Sequence, residues 1–206
     1  MSIFINQSAK HVILSARKCG LMTLSHSVTD KFKNKSENKG WNRGNPDPHY
    51  AHGNIGQRDA PFDLTTWAAY DVTLIIREPY DRYISGVRTV WTLQEWQHKA
   101  MQRPKCFKQW YDEEYRKFGI ELHNGHVSNW LYIIDNMQYR TIEVVDTNNL
   151  DDWQVRNGFL KWHDHKSHPE DKAIVKAHID KHYIEELTEY LKPEVERYKK
   201  WLTFDA

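Results

Sequence analysis

The stretch Arg77-Glu78-Pro79-Tyr80-Asp81-Arg82-Tyr83-Ile84-Ser85 carries side chains suited to holding an anion. Arginine offers a planar fork of N–H donors that matches the oxygens of a phosphate, and serine adds a hydroxyl donor. Arg77 directly follows the apolar run Asp71–Ile76. Pro79 fits the first turn of a helix, where its missing N–H costs nothing, and Glu78, ahead of the proline, is held extended. Arg77 at a strand tip and Ser85 on the helix are therefore candidates to converge on one anion. Arg82 lies three residues from Ser85 on the same helical face, but it is expected to pair locally with Glu78 or Asp81. The plain alternative is a strand turning into a helix; for Arg77 and Ser85 the anion site is the better reading.

A second candidate anion loop comes earlier. The segment Arg17-Lys18-Cys19-Gly20-Leu21-Met22-Thr23-Leu24 follows the apolar run His11–Ala16. In a strand, basic turn, glycine and helix, backbone N–H groups and the helix N-terminus can face an anion, and Lys18 adds a full charge. Gly20 has no Cβ and lets the backbone come close to a ligand. An ordinary strand-to-helix turn with solvated Arg17 and Lys18 is the alternative. The loop is not the magnesium-nucleotide sequence G-x-x-x-x-G-K-[ST]: Lys18 precedes Gly20 and is followed by Cys19, so the magnesium-holding hydroxyl is missing from its place. That disfavours a P-loop phosphotransferase but leaves a phosphate cradle open. Cys19 is also a candidate low-pKa thiol at a helix start.

Predicted strands cover His11–Ala16, Asp71–Ile76 and Thr141–Val145. A helix is predicted to start in Leu21–Val28. Further helices are predicted over Pro61–Ala69, Pro79 to about His98, Phe107–Phe118, Val127–Met137 and Asn149–Leu160. Asp171–Trp201 is predicted mostly helical, with an interruption near Pro193. Lys31–Pro48, polar, basic and rich in Gly, Pro and Asn, reads as a long loop, and Lys161–Glu170 as a His-rich one. Strands separated by helices predict a single α/β domain over residues 1–206, a central, mostly parallel sheet flanked by helices in three layers. Ligands of such folds sit beyond the carboxyl ends of the strands. Two predicted strands end in cations, Ala16 running into Arg17-Lys18 and Ile76 into Arg77. Both cationic loops are thus expected on one edge of one sheet.

Composition narrows the partners. The chain has 206 residues, 39% of them hydrophobic, which suits one domain with a sizeable core. A formal net charge of +1 disfavours a general binder of nucleic acid or membrane surface, while a local anion site stays compatible with it. Two cysteines, Cys19 and Cys106, make no disulfide framework. No apolar run approaches a membrane span and no signal-peptide core is evident, so a soluble, cytoplasmic chain is expected.

Taken together, the two loops resemble those of sulfotransferases that use 3′-phosphoadenosine 5′-phosphosulfate (PAPS), cytosolic and carbohydrate members alike. "REPYDRYISG" matches the family's 3′-phosphate motif, R-x-P-x-x-R-x-x-S, at every fixed position, and "RKCGLMTL" is similar to its 5′-phosphosulfate loop. The order of the two loops and their separation also fit. "WLYIIDNMQYRTIEVVDTNNL" and "YLKPEVERYKKWL" resemble later segments of the family. Leu21 and Met22 depart from it, standing where many members carry Ser or Thr. The resemblance implies the P-loop-like sulfotransferase fold, PAPS as donor, 3′-phosphoadenosine 5′-phosphate (PAP) as product, and no metal. It implies that Lys18 contacts the bridging oxygen and 5′-phosphate, supported by Arg17 and the loop Cys19, Gly20, Leu21, Met22 and Thr23, and that Arg77 and Ser85 hold the 3′-phosphate.

Sulfuryl transfer to a hydroxyl needs a general base near neutral pKa. Between the two loops, "PDPHYAHGNIG" offers His52, with His49 second; several family members carry a histidine in a similar setting. Asp59 and Asp63 are acidic alternatives, and His126 a weaker candidate. His163, His165 and His168 stand in the His-rich loop, where a zinc site would need three or four ligands in defined geometry; the resemblance implies instead that this loop closes over the nucleotide. The basic segment Lys31–Arg43 and the nine Trp and eleven Tyr would suit a glycan or small-molecule acceptor, and equally a solvated loop and an ordinary core. A non-catalytic PAP-binding protein of the same fold is the main alternative function.

Overall fold

The structure is a computed structural model that describes residues 2–6, 9–15, 19, 24, 41–44, 67–99, 106–115, 135, 137–159, 161 and 169–203. The strands are β1 (Ser2–Asn6), β2 (His11–Ser15), β3 (Trp41–Gly44), β4 (Asp71–Ile76) and β5 (Thr141–Asp146). They form one sheet of five strands in the order β3-β1-β2-β4-β5. β2, β4 and β5 are parallel neighbours, with Leu14 beside Leu74 and Leu74 beside Val144. Their near-continuous apolar runs are those of strands covered on both faces, and Val12, Ile13, Leu14, Leu74, Ile75 and Ile76 are all buried.

The three predicted strands are found and pair in parallel, flanked by helices in an α/β arrangement; among the described strands β1 alone runs against the others. β1 pairs antiparallel with β2, Asn6 facing His11, and β3 pairs antiparallel with β1. Where the two strands connect, the Asn6 side chain accepts the Ala9 N–H at 3.0 Å. Lys10, just before β2, takes the left-handed conformation, φ 52°. β3 corrects the reading of Lys31–Pro48 as loop throughout. Trp-Asn-Arg-Gly has no alternating apolar pattern, and its place in the sheet comes from backbone pairing to β1.

The described helices are α1 (Pro79–Lys99), α2 (Phe107–Trp110), α3 (Leu150–Arg156), α4 (Pro169–His182) and α5 (Ile184–Leu202). A π-helical turn, Tyr111–Tyr115, follows α2, so the described part of the helical candidate Phe107–Phe118 is helical. Its Asp112 ties it to the end of α4, since Tyr183 donates its hydroxyl to Asp112 Oδ1 at 2.6 Å and His178 Nε2 lies 2.9 Å from the same oxygen. Burial works to raise the Asp112 pKa, but these hydrogen bonds and the neighbouring cations leave it below the ordinary value. Just past α3, Gly158, with φ 71°, lets Phe159 N–H turn back to the Gln154 carbonyl.

The break in the C-terminal helical region also differs from expectation. It falls at Tyr183, which leaves the helical region with φ −138°, and not at Pro193, which lies inside α5. Pro193 is on the exposed side of α5, where water can satisfy the carbonyl that its missing N–H leaves free. The buried side reads Leu187, Leu191, Glu194, Trp201, with Tyr198 partly buried between the last two. That spacing is one stripe of a 3.6-residue helix.

Among the described residues, two clusters make the core. One lies on the sheet and includes Trp67, Trp153 and Trp201. The other joins α1, α2, α4 and α5 through residues such as Tyr83, Val87, Trp110, Val175, Ile179 and Leu187. Burying each such apolar side chain contributes about 1.5–3 kcal/mol of transfer free energy. No described helix is long and apolar enough to cross a membrane.

Candidate anion site at the carboxyl edge of the sheet

Register fixes which chain ends meet. Ser15 stands beside Ile75, and Ile76 beside Asp146, so β2, β4 and β5 all finish at one edge. Arg77 leaves β4 at that edge. Glu78 then caps α1: its carboxylate accepts the N–H of Tyr80 at 3.0 Å and of Asp81 at 2.7 Å. The first free donors of the helix are thereby satisfied internally. An anion beside α1 would have to be held by side chains rather than by those backbone groups.

Those side chains lie along one line. Arg77 Nη2 is 3.5 Å from Asp81 Oδ2, and Ser85 follows Asp81 by one helical turn, half-buried. Lys172, in the first turn of α4, reaches across with Nζ 3.3 Å from both Asp81 oxygens. Arg77 and Lys172 thus share one carboxylate.

Beneath this line Arg82 is buried. Its Nη2 lies 2.8 Å from Glu194 Oε2, and both side chains are 1% exposed. The structural role expected of Arg82 is found, and the carboxylate it meets here, Glu194, comes from α5. Burial pushes the Glu194 carboxyl above its usual pKa, although Arg82 pulls the other way. Closer to β5, Asp146 accepts the Asn148 N–H at 2.7 Å and the Tyr198 hydroxyl at 2.6 Å. Burial, with that bond to a carboxylate, raises the Tyr198 pKa.

Cys19 is fully buried, and Ser15 Oγ donates to its carbonyl at 2.7 Å. Burial pushes its thiol up to about 12, against the pull of Arg82 and Arg77. The expectation of a low-pKa thiol is therefore wrong: desolvation of a thiolate outweighs the nearby cations.

Of the site residues predicted from sequence, Cys19, Arg77 and Ser85 are described, and all three belong to the β2 and β4 end of the sheet or to the helix leaving it. Arg17, Lys18, Gly20, Leu21, Met22, Thr23 and His52 lie outside the described residues, as do His49, Asp59, Asp63, His126, His163, His165 and His168. Among the described residues no group of three or more His, Cys, Asp or Glu side chains is arranged to hold a metal ion. Lys172 and Glu194 were not foreseen. Both reach α1 from about a hundred residues away in sequence, a distance over which no spacing rule operates. The Arg77–Asp81 pairing, four residues apart, was open to sequence inspection. No protein-family model, curated protein or solved structure matches the chain.

Proposed function

We propose that the chain is a sulfotransferase that moves a sulfuryl group from PAPS to an acceptor hydroxyl or amine on a carbohydrate or small molecule. The observation that carries the reading is the match of Arg77–Ser85 to R-x-P-x-x-R-x-x-S at every fixed position. The parallel pairing of β2 with β4 supports it, because the segments after Ser15 and Ile76 then start from one edge. In this reading Arg77 and Ser85 hold the 3′-phosphate and Lys18 meets the charge growing on the leaving 5′-phosphate. The acceptor oxygen or nitrogen forms its bond to sulfur as the bridging S–O bond breaks, PAP leaves, and His52 takes the acceptor proton. A second reading, binding of PAP without turnover, draws on Leu21 and Met22, which bring no side-chain hydroxyls to the first loop.

The test is a thermal shift. At about a hundred times its Kd, PAP should stabilise the protein by about 2.7 kcal/mol, which for a chain of this size corresponds to a rise of about 5–10 °C. ADP, lacking a 3′-phosphate, should do much less, and Arg77→Ala should remove the difference. Absence of any PAP-dependent shift would sink the proposal. Turnover of PAPS over a panel of acceptors separates the enzyme from the binding protein.

A further inference from the structure

We infer that Lys172 is a further ligand of the 3′-phosphate, a specificity-determining cation delivered by α4 to the Arg77–Ser85 clamp. The inference rests on the donor reading above and adds a residue to it from a separate part of the chain.

The geometry is that of an anion already held. Asp81 lies between Arg77, four residues before it, and Ser85, four residues after it, and its carboxylate contacts both Arg77 and Lys172. The trio carries two positive charges and one negative. A phosphate entering beside Arg77 and Ser85 comes within reach of the cation that now faces Asp81. Two cations suit a phosphate dianion better than Arg77 alone does.

Lys172 is held in place by its helix. Val175 and Ile179, three and seven residues further on, are fully buried in the contact of α4 with α1. Lys176 Nζ lies 5.2 Å from the centre of the Tyr80 ring, and Tyr80 donates its hydroxyl to Asp180. The charged end of Lys172 therefore projects from a docked helix, and positioning costs little entropy at binding. As a stabiliser of the fold the contact counts for little. The Lys172 and Asp81 side chains are 32% and 42% exposed, and ion pairs of that kind contribute about 0–1 kcal/mol.

The experiment compares PAP with adenosine 5′-phosphate by calorimetry on wild type, Lys172→Ala and Lys172→Arg. Lys172→Ala should bind PAP roughly ten- to a hundredfold more weakly, the range for losing one charge-assisted hydrogen bond. Its affinity for adenosine 5′-phosphate should change less than about twofold, and Lys172→Arg should keep most of the PAP affinity. The unliganded melting temperature of Lys172→Ala should stay within about 3 °C of wild type, as expected for an exposed pair. If wild type prefers PAP and Lys172→Ala keeps that preference, the role of Lys172 is overturned while the donor reading stands. If wild type shows no preference for PAP, the donor reading falls and takes this inference with it.

Discussion

Replacing Arg82 by methionine tests the claim that it is structural. At 2.8 Å from Glu194, its attraction is about 6 kcal/mol for an effective dielectric constant of 20. Desolvating two ions costs several kcal/mol each, so the intact pair contributes little net stability. Removing one member leaves the other buried and uncompensated, and Arg82→Met should cost about 3–5 kcal/mol. For a chain of this size that is a fall in Tm of about 6–20 °C. The sign of the pH dependence follows from Glu194. Its folded pKa lies above its ordinary value of 4.5 because of burial, so stability falls as pH rises from that value through the folded pKa. Without Arg82 the folded pKa rises further, and the penalty should be larger at pH 8 than at pH 5. Urea unfolding at both pH values measures it, and the double variant Arg82→Met/Glu194→Leu should recover most of the loss. A cost below about 1 kcal/mol at pH 8, or a double variant no more stable than the single one, would refute the reasoning.

Two further outcomes are expected. Iodoacetamide at pH 8 should label exposed Cys106 quickly and Cys19, buried with its thiol pushed up to about 12, only after unfolding; mass spectrometry of the native protein showing rapid modification of Cys19 would contradict its burial. At the amino edge of the sheet, Asp71 is lowered to about 2 by hydrogen bonds from Arg140 and Thr141. A carboxyl with a depressed folded pKa stabilises above its unfolded value, near 3.8, and that contribution is lost as pH falls towards 2. The difference in urea midpoint between wild type and Arg140→Ala should therefore shrink from pH 7 to pH 3, and a difference that widens would be incompatible with the pairing.

What could be read from the sequence follows the range of the forces involved. The sequence pattern marks β4 residue for residue, every described residue of β2, and β5 all but its last residue, because buried parallel strands announce themselves as apolar runs between breakers. The start of α1 was legible through Pro79, whose effect is local. β1 and β3 were missed. Ser-Ile-Phe-Ile-Asn is short, and Trp-Asn-Arg-Gly joins the sheet through backbone pairing that leaves no pattern in residue type. The helix break was placed at Pro193 because proline has a strong local penalty, yet the packed stripe of α5 carries the helix through it. The same division holds at the site. Arg77 and Ser85 were found from spacing, whereas Lys172 and Glu194 are brought to α1 by tertiary packing.

α5 gives this architecture its mechanical character. Leu187 and Leu191 belong to the helical cluster, Trp201 to the sheet cluster, and Glu194 between them grips Arg82. A helix shared in this way welds two cores into one cooperative unit. An opening of either half that displaces α5 therefore also breaks packing in the other, so hydrogen exchange in β4 and in α4 should be coupled.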